Sequence, residues 1–159
     1  MGNVTLASPG NWQKGDWTSE MNDFRNLSFS VDSQEMVPSQ FGFGGQYAKL
    51  TISCIENRTN IYVNWRRYIT TGGIYNNHSV RYRIDKNSPR TEKWSMSTDY
   101  EATGKWRGSG ISLIKRLKGA SSFLLETTPY GDNTVRARFD IKGINQVVEQ
   151  IANRCGWKP

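Results

Sequence analysis

Four arginines stand at alternating positions in two short runs, Arg81 and Arg83 within Val80-Arg-Tyr-Arg-Ile-Asp85, and Arg136 and Arg138 within Val135-Arg-Ala-Arg-Phe-Asp140. A period of two puts both guanidinium groups of a run on one face of a strand and the apolar residues on the other. Should the two strands be neighbours, the four groups would form one stripe suited to carboxylate or phosphate. Tyr62, Arg66 and Tyr68 would extend it with aromatic contact. The commoner outcome on the wet face of a sheet is that such arginines pair with local acids, here Asp85, Glu126 or Asp140, or are simply solvated. Tyr130, in Thr127-Thr-Pro-Tyr130, is a candidate peptide-docking residue. The preferred role is structural, with Pro129 fixing the backbone as it leaves a strand and Tyr130 anchoring the turn.

Catalytic constellations meet a short inventory. Cys–His and Ser–His–acid schemes would both need His78, the only histidine, which sits in the polar run Asn76-Asn77-His78-Ser79 and reads as an exposed turn residue. Paired carboxylates could serve a glycosidase, with peptidoglycan as a conceivable substrate for a basic protein. Asp99 and Glu101 lie two apart on a possible strand, where ordinary solvated acids account for them equally well. The glycines in Phe41-Gly-Phe-Gly-Gly45 precede a strand rather than a helix, which argues for a loop or hairpin and against a phosphate-binding loop. No catalytic residue and no cofactor is therefore expected.

Two cysteines, Cys54 and Cys155, do not make a zinc site, which calls for four Cys/His ligands in close pairs. A long-range disulfide competes with two buried thiols, and the disulfide is preferred. Closing a loop of about 100 residues would contribute roughly 4.7 kcal/mol in the chain-entropy model. It would also imply an oxidising compartment, the periplasm or the outside of the cell. Met1-Gly2-Asn3-Val4-Thr5 carries neither a basic nor an apolar signal region, so a signal segment is expected to have been removed ahead of it. Four Asn-x-Ser/Thr sequons, headed by Asn3, Asn26, Asn57 and Asn77, are no more than an Asn- and Thr-rich chain produces by chance.

The elements that must position these residues are mostly strands. The chain has 159 residues, 15 glycines and 19 aromatic residues (6 Trp, 7 Tyr, 6 Phe), enough for one domain with a large-residue core and many turns. Residues 1–11 read as a flexible N-terminal arm and 12–159 as a single β-rich domain. Alternation places Leu27, Phe29 and Val31 on one face, Leu50, Ile52 and Cys54 on a second strand, and Ile61, Val63 and Trp65 on a third, the last two joined as a hairpin. Further strands are expected around Ser79–Asp85, Glu92–Ser97, Phe123–Leu125 and Val135–Ile141. Gly104–Gly110 reads as a Gly/Ser loop and Leu113–Lys118 as helical or irregular, ended by Gly119. Ile144, Val147, Val148, Ile151 and Ala152 recur at helical spacing, a stripe that packs on a sheet. The expected fold is mainly β, an antiparallel sandwich-like domain with a C-terminal helix on the sheet. No apolar run approaches the roughly 18–20 residues that span a bilayer, so the chain is expected to be soluble.

The net charge of +7 suits nucleic acid, anionic lipid or an acidic polymer, yet the excess is spread along the chain, as on an ordinary basic surface. Nucleic acid is the weaker option if the compartment is extracytoplasmic.

Several words of the sequence carry more than composition does. They are Ser19-Glu-Met-Asn-Asp23, Ile52-Ser-Cys-Ile-Glu-Asn-Arg-Thr59 leading into Asn60-Ile-Tyr-Val63, Val80-Arg-Tyr-Arg-Ile-Asp85 and Trp94-Ser-Met-Ser-Thr-Asp-Tyr100. Thr127-Thr-Pro-Tyr130, Phe139-Asp-Ile-Lys-Gly143 and Cys155-Gly-Trp157 complete the set. In these words and their order the chain resembles the VasI/TagO family of type VI secretion-associated proteins along nearly its whole length. Ile55 departs from the arginine that often follows the first cysteine there. The resemblance implies a periplasmic, non-enzymatic accessory protein of proteobacteria, with relatives also at home in prophages, and it supports the Cys54–Cys155 pairing. It implies an envelope or secretion-apparatus protein as partner. An envelope-polymer binder or peptidoglycan-cleaving protein is the alternative, and a basic nucleic-acid-binding domain comes third.

Overall fold

A computed structural model of the chain describes residues 9–40, 44–73 and 76–159. Among them lie nine strands, β1 (Gln13–Thr18), β2 (Arg25–Pro38), β3 (Gly45–Ile55), β4 (Arg58–Asn64), β5 (Asn77–Ile84), β6 (Arg90–Met96), β7 (Ala102–Lys105), β8 (Ser122–Thr127) and β9 (Val135–Asp140). Two helices accompany them, α1 (Ile111–Arg116) and α2 (Ile144–Cys155). The strands form one antiparallel sheet in the order β1-β2-β3-β4-β7-β6-β5-β8-β9. The sheet curls until β9 lies against β2. Its inner face and the apolar stripe of α2 enclose one core containing Phe29, Ile52, Ile61, Tyr82, Phe123, Phe139 and Ile151.

Local sequence explains most of these elements. β4, β5, β8 and β9 alternate buried and exposed residues as their period-two patterns demand. Glu56 and Asn57, both at positive φ (50° and 62°), make the two-residue turn that matches the twist of the β3–β4 hairpin. β2 runs past the expected Val31 to Pro38 by way of a bulge between Asp32 and Met36. Ser33 fills it, its hydroxyl donating to Glu35 O (2.7 Å) and accepting from the Ala48 N–H (3.0 Å).

Three expectations need correction. The stretch read as a loop from Gly104 begins inside β7, because Tyr62 lies directly across from Gly104 and covers it. A Cβ at Gly104 would meet Tyr62 Cβ at 2.5 Å, so the glycine marks a close approach and not a break. His78 lies in β5 and not in a turn. Asp99 and Glu101 lie in the turn between β6 and β7, where the Asp99 carboxylate accepts from the Ser97 hydroxyl (2.6 Å) and the Glu101 N–H (3.0 Å). β1 had no apolar alternation to announce it. Of the arm expected at 1–11, residues 1–8 lie outside the described residues, as do residues 41–43 of the glycine-rich loop. Pro9 is buried, and the Asn11 side chain bonds Asp140 (3.2 Å).

Cys54 and Cys155 form a disulfide across 101 residues. Beyond it, Gly156 takes a left-handed conformation (φ 77°) and turns the chain so that the Trp157 indole donates to Thr59 Oγ1 at 2.8 Å. Thr59 is the cross-strand partner of Cys54, so both bonds fall on one end of the β3–β4 hairpin. Arg154 makes a two-pronged pair with Asp16 on β1 (3.1 and 3.0 Å) and also reaches the carbonyls of Arg25 and Asn26. α2 is thus tied to β1, β2 and β3 at once. Each large apolar side chain it buries contributes about 1.5–3 kcal/mol before chain entropy is charged.

An inward-facing carboxylate braces the other half. Glu92 on β6 accepts from Tyr82 Oη and Trp94 Nε1 (both 3.1 Å), and it pairs with Lys105 (3.0 Å) and Arg116 (3.6 Å). Partial burial pushes its carboxyl up, but the hydrogen bonds from Lys105 and Trp94 outweigh that and hold it below the ordinary range.

Two outcomes follow from these bonds. Reduction of the disulfide, or Cys54→Ser with Cys155→Ser, is expected to cost about 2–5 kcal/mol and to lower the thermal midpoint on the order of ten degrees. An unchanged midpoint in dithiothreitol would contradict the clasp. Because the folded-state carboxyl of Glu92 is depressed, its contribution is complete above the unfolded value and fades as pH falls below about 4. Glu92→Gln should therefore destabilise by about 2 kcal/mol at pH 7 and by much less at pH 3. Equal losses at both pH values would show that charge plays no part.

Candidate functional site

The arginine-bearing strands do not pair with each other. They flank β8, so that β5, β8 and β9 run side by side and their outward residues form two cross-strand rows, Arg81–Glu126–Arg136 and Arg83–Leu124–Arg138. With strands about 4.8 Å apart, β5 and β9 lie roughly 10 Å from one another. All four guanidinium groups project from the face opposite the core, because Val80, Tyr82, Ile84, Val135, Ala137 and Phe139 occupy the inward positions.

Glu126 organises the first row. One of its oxygens accepts from both Arg136 Nε (3.0 Å) and Nη2 (2.8 Å), while the other stands 3.7 Å from Arg81 Nη1. The Arg136 pair is close and the Arg81 pair is loose, and both arginine side chains remain more than half exposed, at 63% and 58%. Exposed pairs of this kind contribute 0–1 kcal/mol, so they orient the guanidinium groups more than they stabilise the fold. Most of the donor capacity of Arg81 stays open to solvent.

In the second row the two arginines differ. Arg83 folds back on its own hairpin, its Nε donating to Asn87 O (2.9 Å) and its Nη2 to Lys86 O (3.0 Å). It braces the β5–β6 turn. The Arg138 side chain makes no hydrogen bond or ion pair among the described residues and stands exposed.

An open groove of about 860 Å³ adjoins the first row. His78, Arg81, Lys93, Glu126, Thr128 and Thr134 are among the residues that line it. Lys93 lies opposite Ser79, one diagonal step from Arg81 on the neighbouring strand, and its side chain makes no hydrogen bond or ion pair among the described residues. His78 Nε2 donates to Thr128 O at 2.7 Å, which ties β5 to the end of β8. The Thr128 and Thr134 hydroxyls bond each other at 2.6 Å across the mouth of the β8–β9 connection. A smaller recess of about 150 Å³, walled by Arg81, Arg83, Pro89 and Arg136, continues the groove along the sheet.

The remaining candidates fall elsewhere. Tyr62 sits on β4, three strands from β5, with its ring stacked on Trp106 (centroids 4.7 Å apart). Its work is to cover Gly104. Arg66, at φ 55°, serves the turn after β4 through its backbone, its N–H donating to Asn64 Oδ1 (2.8 Å) and its carbonyl accepting from Gln46 Nε2 (3.2 Å). Tyr68 leans on Tyr100 with centroids 5.9 Å apart. Tyr130 is 70% exposed at the rim of the groove, its N–H donating to Thr70 O at 2.7 Å beside the groove residue Thr71.

Sequence reading passed over Lys93, although it alternates with the inward Trp94 and Met96 and so belonged on the outward face. It also passed over Arg67, a buried guanidinium that donates to Pro38 O (3.2 Å) and to Asp132 Oδ2 (2.6 Å). The hydrogen bond from Arg67 holds the Asp132 carboxyl below the usual range and fixes the β8–β9 turn that carries Tyr130. Neither role has a local signature, because the partners lie far away in the chain.

Among the described residues no group of three or more His, Cys, Asp or Glu could hold a metal ion, and no helix is long and apolar enough to cross a membrane. The groove is lined by cationic and hydroxyl-bearing side chains, groups whose chemistry would suit an anion.

The architecture is shared with a solved structure, that of invasion associated protein B from Bartonella henselae. The two align with a TM-score of 0.56 over 92% of this chain and 94% of that one at 7% identity, a likeness of fold alone. A search of the curated proteins found no match. The family model described as type VI secretion system VasI, EvfG matches residues 7–157. The chain belongs to the VasI family of type VI secretion system proteins.

The two arginines of the second row should separate on mutation. Arg83→Ala is expected to lower stability by about 1 kcal/mol, a shift of a few degrees in thermal midpoint, through loss of the turn brace. Arg138→Ala should leave the midpoint unchanged. Equal effects would mean that the Arg83 contacts do not hold the turn in solution.

Proposed function

We propose that this chain is a non-catalytic accessory protein of type VI secretion that acts in the periplasm and binds its partner through the outward face of β5, β8 and β9. The observation that carries this reading is the Arg81–Glu126–Arg136 row, in which a half-buried carboxylate aims two largely exposed guanidinium groups away from the core. Planar forks held in this way suit carboxylate or phosphate groups on a partner. Lys93 and Arg138 add two exposed cations with no intramolecular ion pair among the described residues, so the face is basic even after Glu126 is counted. Family membership supports a component of the secretion apparatus as that partner. The disulfide supports an oxidising compartment.

In a host strain deleted for the gene, the wild-type protein should restore type VI secretion. Arg81→Glu combined with Arg136→Glu, accumulating to the same level with its disulfide intact, should not. Full restoration by the double variant would remove the face from the mechanism. Recovery of the wild-type protein from the cytoplasmic fraction with two alkylatable thiols would overturn the compartment.

A further inference from the structure

The groove beside the arginine row has features that narrow the chemistry of what it holds, and the inference deepens the reading of this face as an anion-binding surface. We propose that the groove is a binding site for an acidic saccharide, with Arg81 and Lys93 taking its carboxylate and Glu126 acting as a built-in competitor for Arg81.

Consider first the cationic end. Lys93 lies diagonal to Arg81 across the β5–β6 pair. Residues so placed stand about 7–8 Å apart at the backbone, within joint reach of one small anion for two long side chains. The Arg81 side chain is held by one long contact of 3.7 Å, and the Lys93 side chain makes no hydrogen bond or ion pair among the described residues. Both can turn to a ligand without giving up a strong partner. The structure already shows a carboxylate beside Arg81, namely that of Glu126. A ligand carboxylate would replace this loose contact with a closer, two-pronged one.

The rest of the lining is hydroxyl groups. Thr71, Ser79, Thr91, Thr128 and Thr134 carry groups that both donate and accept, as do the hydroxyls of a sugar. The groove volume of about 860 Å³ lies in the range, roughly 300–1,000 Å³, that takes a ligand of short-oligomer size. At its rim Tyr130 is 70% exposed, its ring backed by Gly72 so closely that a Cβ there would meet it at 2.8 Å. An exposed ring backed in this way offers an apolar surface for the face of a pyranose.

Two other macromolecular ligands fit less well. An extended peptide binds by adding a strand to an open edge. β5 is paired on both sides, by β6 and β8, and the groove lies on the sheet face. Single-stranded nucleic acid needs successive aromatic platforms for its bases. Among the described residues the lining includes no Phe, Tyr or Trp, its one imidazole, His78, is bonded to Thr128 O, and the rim offers the ring of Tyr130.

Calorimetric titration of the purified, oxidised protein at about 0.15 M salt tests the assignment, with trigalacturonate as the probe. Maltotriose, triglutamate and a short oligothymidylate serve as comparators. Trigalacturonate should bind with saturable heat, and the three comparators at least about tenfold more weakly. Arg81→Gln and Lys93→Gln should each weaken it about tenfold. Glu126→Gln should tighten it about threefold, because it frees Arg81 from its internal rival. A merely structural Glu126 would give the opposite sign. The Lys93 side chain is exposed and makes no hydrogen bond or ion pair among the described residues, so its variant keeps the fold and the test stands even if another variant melts early.

No heat with trigalacturonate, equal binding of triglutamate, tighter binding of the oligonucleotide, or weaker binding by Glu126→Gln would each overturn the proposal. If trigalacturonate fails to bind while secretion still depends on Arg81 and Arg136, the saccharide assignment falls and the docking face stands. If it binds as expected while the double charge reversal secretes normally, the groove stands and the docking face falls.

Discussion

The junction of Cys54 with Cys155 is the constraint on which the remainder of the architecture rests. A twelve-residue helix at the end of a chain has little stability by itself, and its apolar stripe is useful only when pressed on a sheet. Here the stripe is fastened at its C-terminal end by the disulfide and by the Trp157–Thr59 hydrogen bond, and at its flank by Arg154 on Asp16. The helix in turn lies on β2, β3 and β4 and fills the hollow of the curled sheet. Asp16 belongs to β1, an edge strand with no buried residue. The hydrogen bond from Arg154 holds its carboxyl below the usual range despite an opposing contribution from burial.

This arrangement divides labour between the two faces of the sheet. The inner face and α2 carry the stability, and the disulfide lies there as well. The outer face of β5, β6, β8 and β9 carries exposed cations, a groove and hydroxyl groups, and little of it is needed for folding. The Glu92 network belongs to the inner side and fixes the β5–β6 hairpin through Tyr82 and Trp94. Arg81 and Lys93, on the opposite side of the same hairpin, are therefore presented by a braced element although neither is tightly bonded itself. Rigid placement with free donors is the combination that an anion-binding surface requires.

Features whose signal is local could be read directly from the chain. Leu27, Phe29 and Val31, or Val80, Tyr82 and Ile84, announce a strand and its inward face through period two, and Ile144 to Ala152 announces a helix through its longer period. The Cys54 side chain was legible as core-facing for the same reason. What escaped depends on residues distant in sequence. β1 is held by pairing with β2 and by Lys14 and Asp16 reaching α2, with no apolar pattern of its own. Gly104 looks like a breaker until Tyr62 is known to cover it. Glu92 looks like a surface acid until Lys105 and Arg116 arrive from β7 and α1. The order of the strands decided the site in the same way. The two arginine pairs were visible as outward faces and Glu126 as an acid that could pair with them, but that β8 would come between the two strands was not.

The central claim is that this molecule meets its partner with the outer face of β5, β8 and β9. The most direct measurement is site-specific photo-crosslinking in secreting cells. The photo-reactive residue would stand either in place of Arg138, exposed and unpaired on that face, or in place of Met21, 93% exposed at the tip of the β1–β2 hairpin. A discrete adduct from position 138 and none from position 21 is expected. An adduct from position 21 alone would place the contact on the β1–β2 hairpin tip and contradict the assignment of the arginine face.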